Sequence, residues 1–454
     1  MERSNILGVM PVKRLMISMG VPMIMSMLLQ AFYNIVDSAF VSNMKENGEA
    51  ALNALTLAFP MQMLMVALSI GTGVGVGALL SKSLGQSDSE KASRTAGCGL
   101  FLALVIYLMF LLFGFFGVKA FIGFQTKNRL IAGMGADYLR ICCVWSFGIV
   151  FFSIYEKLLQ ATGRSAFSTV AQISGAVTNM ILDPLLIYGL LGLPKLGVKG
   201  AAYATVIGQI VSFLAAMAFH LKKNIEIRNS LSFMVPSAKI IKEIYAIGLP
   251  AIIAQALMSV MTYLLNMILG GISESMVTAY GLFYKVQQFV LFAAFGLRDA
   301  ITPIVSYSHG MKDKKRIGEG IKYGLLYTCL IMAAGTLAVE LFAGPFSKMF
   351  GLSGQTRELC VSAMRLISIS FVFAGANIAF QGIFQALDGG PQSLAISLCR
   401  QLIFVLPAAK LFAVLVKNGS APMSLIWIAF PLAEILSALI AFLMMKSTRT
   451  KLAV

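Results

Sequence analysis

The chain has 454 residues, of which 58% are hydrophobic and 12% are charged, whereas soluble domains are about 25% charged. Apolar runs of about twenty residues recur from end to end, which predicts an all-α polytopic membrane protein and excludes a large soluble domain. The net charge of +17 does not indicate a nucleic-acid partner, because most Lys and Arg residues fall in segments predicted on one side of the membrane.

The hydropathy pattern predicts twelve transmembrane helices. Residues 1–14 are polar and basic, and the apolar run that follows is longer than a signal-peptide core. We therefore interpret that run as a span and not as a cleaved leader. The bias of Lys and Arg places both termini in the cytoplasm and predicts a multi-pass protein of the cell membrane. The predicted spans are 16–41, 51–80, 94–116, 136–155, 168–190, 200–220, 240–270, 277–307, 320–342, 359–382, 392–416 and 423–445.

The second half of the chain repeats the first at a shift of 225 residues. We therefore predict two six-helix lobes, 1–225 and 240–454, joined by a cytoplasmic linker, 226–239, whose polar sequence would tolerate hinge motion. Because six is an even number, both lobes insert with the same orientation, as in transporters that alternate two lobes around a central site. The matching pairs are Gly71 with Gly296, Ser81 with Ser306, Gly85 with Gly310, Gly99 with Gly324, and Gln160 with Gln385.

Two carboxylates lie inside spans of the first half, where an uncompensated charge is costly and marks a functional candidate. Asn179 and Asp183 are four residues apart and share a helix face, and Asn34 and Asp37 in the first span are three apart. Pro184 lacks an N–H, so a backbone carbonyl one turn earlier loses its helical donor. These oxygens predict a site for a proton or for Na+, with Asp37 and Asp183 as the ligands if the ion is a metal.

The second half lacks this set of acids. Pro22 in the first span matches Pro250 in the seventh at a shift of 228 residues, and by that shift Leu265 stands at the position of Asp37. By the shift of 225 residues, Ala408 stands at the position of Asp183. Structural acids would have little reason to be confined to one repeat, so the asymmetry predicts a single ion site in the first lobe. The hydroxyl of Thr205, in the sixth span, is a further candidate oxygen ligand.

Other polar residues within or near the spans indicate a substrate path less specifically. Tyr33, Gln287, Arg298 and Asp299 are the candidates to line a substrate cavity. Arg298 and Asp299 are adjacent, so we expect them to point to different helix faces and not to need each other as partners. Twenty-seven methionines and thirty-two phenylalanines suit an adaptable apolar cavity.

Several further features have a structural interpretation. Four glycines that alternate through the second span, 71, 73, 75 and 77, predict close helix packing and not a dinucleotide loop. The six cysteines lack metal-ligand spacing, and we interpret them as packing residues. Glu156 and Lys157 are expected at the membrane interface. Four charged residues could line a cavity or bridge the lobes, and both interpretations stay open: Lys285, Arg400, Lys410 and Glu434.

Across essentially its whole length the sequence resembles the multidrug and toxic compound extrusion (MATE) family, closest to the bacterial exporters of the Gram-positive type. The resemblance implies a V-shaped pair of six-helix lobes that exports bulky, often cationic compounds in exchange for H+ or Na+. It also implies that Asp37, Asn179, Asp183 and Thr205 form the cation site. A second-lobe acid site, used by one branch of the family, has no counterpart here. The resemblance is carried by Asn34–Asp37, Gly71–Gly85, Gln160–Ser165, Asn179–Tyr188 and Gly200–Thr205.

The expected function is therefore ion-coupled export of amphipathic, mostly cationic drugs by alternating access, by a monomer in contact with membrane lipid and with no cofactor beyond the coupling ion. A flippase for lipid-linked sugars, from the same superfamily, is the first alternative, but it would need several bases for a pyrophosphate. An intramembrane enzyme is the second, but no nucleophile or metal constellation supports it. The substrates and the choice between H+ and Na+ stay open.

Overall fold

The structure, a computed structural model, describes residues 5–44, 48–349 and 354–452. Within these ranges the chain is almost entirely helical and contains no strand, which confirms the predicted all-α class. Short 3₁₀ segments cover Leu190–Gly192, Leu231–Met234 and Met423–Ile428, and a π-helical turn covers Cys399–Ile403. The α-helices are α1 (Ile6–Val9), α2 (Val12–Ser42), α3 (Gly48–Gly85), α4 (Ser89–Phe116), α5 (Val118–Gly123), α6 (Arg129–Val144), α7 (Phe147–Ala161), α8 (Ser165–Tyr188), α9 (Val198–Lys223), α10 (Ala238–Gly270), α11 (Glu274–Gly310), α12 (Lys314–Met349), α13 (Gly354–Ser368), α14 (Phe371–Ala386), α15 (Gly390–Leu398), α16 (Val405–Lys417) and α17 (Ala429–Leu452).

The helices account for the predicted number of membrane spans. Among the described residues, ten helical segments are long and apolar enough to cross a membrane, and two bent pairs raise the number to twelve if each pair is one span. The pairs are α6 with α7, bent by 45°, and α13 with α14, bent by 52°. The chain is therefore a multi-pass membrane protein.

The internal repeat is visible in the contacts as well as in the sequence. The bent pairs are the fourth and the tenth spans, which occupy the same place in the two halves. The Ser81 hydroxyl donates to the carbonyl of Ala161 at 2.9 Å, and the Ser306 hydroxyl donates to the carbonyl of Ala386 at 3.4 Å. Each residue of the second bond is the 225-shifted counterpart of one in the first, so the repeat extends to side-chain hydrogen bonds.

By its internal contacts the chain forms two compact units. The first comprises Met1–Gly8 and Leu28–Ile252, and the second comprises Val9–Met27 and Ile253–Val454. The long helices α2 and α10 therefore each contribute residues to both units. The lobe boundaries drawn from the sequence repeat stay a prediction.

The alternating glycines of α3 pack against two different neighbours within the first unit. A Cβ atom at Gly71 would lie 2.8 Å from the backbone nitrogen of Ile252 on α10. On the opposite face, a Cβ atom at Gly73 would lie 3.0 Å from Cγ of Lys157 on α7. Because helices in a bilayer gain little from hydrophobic burial, such close backbone approach is what holds them together. The predicted packing role of these glycines is confirmed.

The linker is docked on the first unit and does not run free, contrary to the expectation of a hinge-tolerant connection. The Arg164 guanidinium donates to the Glu226 carboxylate at 2.9 Å, and the backbone N–H of Arg228 donates to the Ser93 hydroxyl at 2.9 Å. The carbonyl of Phe233 lies so close to Gly97 on α4 that a Cβ there would collide with it. Linker composition indicates solvent exposure, but it does not reveal a partner surface.

Candidate cation-coupling site

Helices α2 and α8 bring the two predicted acids of the first unit together. The carboxyl groups of Asp37 and Asp183 lie within hydrogen-bonding reach of each other. On α8 the Asn179 side-chain amide donates to Oδ1 of Asp183 at 3.3 Å, one helical turn away. The shared helix face of Asn179 and Asp183, predicted from their spacing, is therefore seen directly.

The site contains more hydrogen-bond acceptors than donors. Asp183 is fully buried and Asn179 is 3% exposed. Three of the oxygens are buried without a hydrogen-bond partner: Oδ1 of Asp37, Oδ1 of Asn179 and Oδ2 of Asp183. Burying an unpaired ionised carboxylate costs several kcal/mol, and two adjacent carboxylates also repel each other. A bound cation, or a proton on one carboxyl, would relieve both penalties.

The chemistry of these ligands suits a hard monovalent cation or a proton. Carboxylate and amide oxygens are the ligands that hard cations prefer. Among the residues that the structure describes, no three His, Cys, Asp or Glu side chains cluster as a multi-ligand metal site. The two acids and the amide therefore fit weak, exchangeable binding of one ion better than a permanently held metal.

A second polar group near the acids was missed by sequence reasoning. Gln62 on α3 donates from Nε2 to the Tyr138 hydroxyl at 3.3 Å and to Sγ of Cys142 at 3.6 Å. Tyr138 and Cys142, both on α6, are close enough to Asp37 to interact with it electrostatically. The amide of Gln62 inside an apolar span was the available signal, but nothing in the sequence pairs the second span with the fourth.

The other predicted site residues have the following positions. Tyr33, on α2, is half-buried and close enough to both carboxyls for electrostatic interaction. Thr205 is half-buried on α9, one turn before Gly208, where a Cβ would lie 3.0 Å from Cβ of Asn179. Thr205 therefore lies beside the turn that carries the acceptors. The side chain of Asn34 is outside the part of the chain that the structure describes.

The C-terminal end of α8 is bonded to α2 at a point beyond the two acids. The Tyr188 hydroxyl donates to the carbonyl of Phe40 at 2.7 Å, and the two rings pack edge to face with their centroids 6.3 Å apart. Gly189 ends the helix in the left-handed conformation, at φ 72° and ψ 46°, where a glycine carries no Cβ penalty. These contacts fix the separation of α2 and α8, and hence that of Asp37 and Asp183.

Tyr188→Phe is expected to weaken this connection while preserving the ring contact. The variant should lose about 1 kcal/mol of stability, because the hydrogen bond is removed and the Phe40 carbonyl is left unpaired. We expect a small fall in melting temperature in detergent together with a weaker dependence of that temperature on Na+ concentration or on pH. Tyr203→Phe, at an exposed position on the neighbouring α9, is the matched control and should change neither quantity.

The predicted substrate-cavity residues in the second unit lie on α11. Gln287 is half-buried. Arg298 donates from Nη2 to Oδ1 of Asp299 at 2.9 Å, and its guanidinium lies 5.0 Å from the centre of the Phe295 ring. The expectation that Arg298 and Asp299 need not pair was wrong, because the long arginine side chain can fold back along the helix to reach its neighbour. The assignment of these residues to a cavity stays a prediction.

Two pairs of charged residues singled out in the sequence form hydrogen bonds inside their own units. Glu156 and Lys157 are 8% and 6% exposed on α7, so they are buried within the protein, and their position at the membrane interface stays a prediction. Gln160 links them, because it accepts from Nζ of Lys157 at 2.9 Å and donates to Oε1 of Glu156 at 3.1 Å. Arg400 and Glu434, left open between two roles, pair with each other inside the second unit at 2.7 Å.

The sequence profile of the MatE family matches residues 22–185 and 250–410, one match in each half. The chain belongs to the MatE family. The two matches cover both halves of the internal repeat and include both candidate acids of the first unit. The resemblance drawn from the motifs is therefore confirmed.

Relatives named multidrug export proteins align with this MatE chain along nearly its whole length. It is 25% identical over 439 residues to the multidrug export protein MepA of Staphylococcus saprophyticus, covering 97% of this chain and 94% of the relative. It is 24% identical over 448 residues to MepA of Staphylococcus aureus, covering 98% and 96%.

Solved structures share the fold. One, described as the outward-facing conformation of a multidrug resistance MATE family transporter of the MOP superfamily, superposes with a TM-score of 0.92 at 24% identity, covering 99% of both chains. A MOP superfamily transporter from Pyrococcus furiosus superposes with a TM-score of 0.90 at 24% identity, covering 99% of this chain and 98% of that one. This likeness establishes a shared fold.

Proposed function

We propose that this protein is a secondary antiporter that exports amphipathic, mostly cationic compounds from the cell in exchange for H+ or Na+. Its membership of the MatE family and its likeness to proteins named multidrug export proteins support the export of small molecules. Coupling to an ion is supported by the chemistry of the first unit. The drugs themselves are not specified by any residue of this chain.

The single observation that carries the ion coupling is the buried pair Asp37 and Asp183 with its unpartnered oxygens. Nothing in the described surroundings supplies a fixed positive charge to these carboxyls. A cation that enters and leaves is then the group that balances them. A purely structural pair of acids would be expected to have permanent partners.

Exchange follows if the loaded and the empty pair favour different arrangements of α2 and α8. When the pair is empty and charged, its two carboxylates repel, and a wider or wetter arrangement is favoured. When an ion or a proton neutralises the pair, the closer packing of the two helices is favoured. A drug that binds the empty arrangement more tightly is released when the ion binds, which is antiport by differential affinity for two states.

The bases of the second unit argue against the flippase alternative. A lipid-linked sugar carries a pyrophosphate and would need several uncommitted Arg or Lys side chains. Arg298 and Arg400 are each already bonded to an acid, Asp299 and Glu434. The buried charge without a fixed counter-charge in the first unit, that of Asp37 and Asp183, is negative, which favours cations.

The function is tested by counterflow in proteoliposomes with each ion gradient imposed separately. A proton gradient, or a Na+ gradient, that drives uptake of a fluorescent organic cation such as ethidium is the expected result. The ion whose gradient is effective is the coupling ion. Transport that ignores both gradients and requires ATP would overturn the proposal, and preferential movement of a lipid-linked sugar would favour the flippase.

The proposed orientation has both termini in the cytoplasm and is tested by labelling single cysteines. Ile225→Cys, 58% exposed after α9, should react with an impermeant maleimide only in inverted vesicles. Leu191→Cys, 90% exposed in the loop between α8 and α9, should react in intact cells. Four of the six native cysteines are buried and two, Cys329 and Cys399, are half-buried, so the labelling is done in a cysteine-free background. Reversed labelling of the two positions would invert the topology.

A further inference from the structure

The second unit contains a buried ion pair that the proposed cycle does not use. Arg400, on the π-helical turn before α16, donates from Nε to Oε2 of Glu434 at 2.9 Å and from Nη2 to Oε1 at 2.7 Å. Both side chains are largely buried, at 8% and 14% exposure. The Asn377 amide, on α14, donates to Oε2 of Glu434 at 2.7 Å. Helices α14 and α17 and the π-helical turn therefore meet at a single carboxylate.

The arrangement repeats the chemistry of the first unit with different residues. In the first unit a buried asparagine, Asn179, donates to the carboxylate of Asp183, and its own amide oxygen has no partner. In the second, the fully buried Asn377 donates to the carboxylate of Glu434, and its amide oxygen also has no partner. Each unit thus has an acid, an amide donor to that acid and an orphaned amide oxygen. The difference is that only the second has a guanidinium bonded to the acid.

Two residues close in sequence to this ion pair also have buried polar atoms without a hydrogen-bond partner. Ser437, fully buried one turn beyond Glu434 on α17, has a hydroxyl without a hydrogen-bond partner. Gln401, next to Arg400, is 8% exposed and has an unpartnered Oε1. Of these oxygens, that of Asn377 belongs to the amide that donates to the Glu434 carboxylate, and that of Ser437 lies on the same helix as Glu434.

The backbone departs from regular α-helix at Arg400, the residue that supplies the positive charge. The N–H of Phe404 donates to the carbonyl of Cys399, five residues back, at 3.1 Å. Such single π-helical turns are rare inside α-helices and are found mostly at functional positions. Here the wider turn displaces the helix at Arg400, whose side chain makes the bidentate bond. The second repeat thus differs locally from the regular α8 of the first at the residue that supplies the positive charge.

We propose that the Glu434 and Asn377 cluster is a monovalent-cation site that the guanidinium of Arg400 occupies as a tethered internal cation. In this protein the site of the second unit is permanently occupied by that guanidinium. Only the site of the first unit exchanges its cation with the solutions on the two sides of the membrane. Removing the tethered charge converts the cluster into an exchangeable site for Na+ or H+. The statement that only the first unit exchanges its ion rests on the proposed function. The cation site itself is tested by binding to the purified protein, so that test can fail or hold independently of the proposed export.

The test is made in a background that cannot respond through the first unit, Asp37→Asn with Asp183→Asn. Melting temperature in detergent is measured against Na+ concentration at fixed pH, with choline as the balancing cation, and separately against pH without Na+. Adding Arg400→Met to this background is expected to create a rise of at least about 3 °C on saturation with one of the two cations. The arm that responds identifies Na+ or H+ as the occupant.

Two controls separate the proposed site from general destabilisation. Adding Glu434→Gln to the Arg400→Met protein should abolish the new response, because the carboxylate is its central ligand. Arg94→Met breaks an exposed pair with Glu90, at 54% and 70% exposure, and should create no response. If Arg400→Met folds and gains no cation dependence, or if the response survives Glu434→Gln, the proposal is wrong.

A second variant keeps the proposal testable if Arg400→Met does not fold. Arg400→Gln with Glu434→Gln removes both charges and should fold, with export retained at about half the wild-type rate or more, because a permanently filled site takes no part in exchange. Loss of gradient-driven export by this folded double variant would overturn the proposal, since the pair would then belong to the transport cycle.

The pH arm is interpretable because few other charges face the cluster. Helix α14 and helix α15 have no charged residue in their sequences. On the remaining elements packed against α17, Lys410 and Lys417 on α16 and Arg365 on α13 are exposed, and Arg357 on α13 is half-buried. The acid on α13, Glu358, is also exposed. A response that requires Glu434 is therefore assigned to that carboxyl.

Discussion

Asp183→Asn is expected to abolish gradient-driven export while leaving the protein folded. The substitution keeps the size of the side chain and removes the charge, so the pair with Asp37 becomes permanently neutral and mimics the ion-loaded state. Coupling free energies between two sites are typically about 1–3 kcal/mol, or about 5- to 150-fold in affinity. We therefore expect the drug affinity of the variant to lose its dependence on the coupling ion and gradient-driven export to fall by about tenfold or more.

The same variant should be at least as stable as the wild type. A buried, unpaired charge destabilises the fold, and its removal relieves both the desolvation penalty and the repulsion from Asp37. Melting temperature in detergent should therefore be equal to or higher than that of the wild type in the absence of the coupling ion. Asp37→Asn should behave in the same way, because either substitution neutralises one member of the pair.

Asp137→Asn is the matched control for both acids. It is the same chemical change in the same unit, but Asp137 is 46% exposed and pairs at 3.1 Å with Lys199, which is 52% exposed. Exposed pairs of this kind contribute about 0–1 kcal/mol, so export and its ion dependence should be unchanged. If Asp37→Asn and Asp183→Asn retained wild-type coupling, the ion site would have to be sought elsewhere, with Glu156, Asp299 and Glu434 as the next candidates.

Features that depend on short-range geometry along one helix could be predicted from the sequence. The bond between Asn179 and Asp183 follows from a spacing of four residues, because every α-helix brings such positions together. The close packing at Gly71 and Gly73 follows equally from residue size. The conformation of one helix fixes the first answer. For the glycines, residue size predicts that a neighbouring helix packs closely there, while the identity of that helix comes from the fold.

Contacts between different helices could not be deduced in the same way. The neighbourhood of Gln62 and Tyr138 depends on which faces of α3 and α6 meet, and no periodicity within either span contains that information. The pairing of Arg400 with Glu434 likewise joins residues on separate spans, and it also depends on a π-helical turn that has no clear sequence signal. The sequence left open whether Arg400 lines a cavity or bridges the lobes. The structure shows its guanidinium bonded to Glu434 within the second unit.

Long side chains were a second source of error. Helical geometry correctly places the Cα–Cβ bonds of Arg298 and Asp299 on different faces, but the arginine stem spans that separation and still pairs at 2.9 Å. Glu156 and Lys157 were expected at the interface because they begin a predicted inner loop, but their burial beside Gln160, which bonds to both, could not be deduced from that position. In a membrane protein a buried charge is explained by its partners, which only the fold reveals.

Gly75→Ala is expected to destabilise the protein, although alanine is the better helix former. A Cβ atom at Gly75 would collide with the carbonyl oxygen of Ile244 on α10 and would lie 3.0 Å from its carbonyl carbon and 3.1 Å from the nitrogen of Gly248. These are backbone atoms, so α3 and α10 must separate to admit the methyl group. Overpacking of this kind costs about 1–3 kcal/mol, which outweighs the gain of about 0.5–1 kcal/mol from replacing a helical glycine.

The sign of the effect distinguishes this contact from ordinary helix propensity. Gly133 on α6 is exposed and would have nothing within 4 Å of an added Cβ, so Gly133→Ala should raise the melting temperature slightly. Gly248 lies on the other helix of this contact, α10, and a Cβ atom there would lie 2.9 Å from the Gly71 carbonyl oxygen. Gly248→Ala should therefore lower the melting temperature, as Gly75→Ala does. Thermal unfolding in detergent measures all three. Equal, stabilising shifts for Gly75→Ala and Gly133→Ala would mean that α3 and α10 do not approach this closely, because only a backbone collision can reverse the sign.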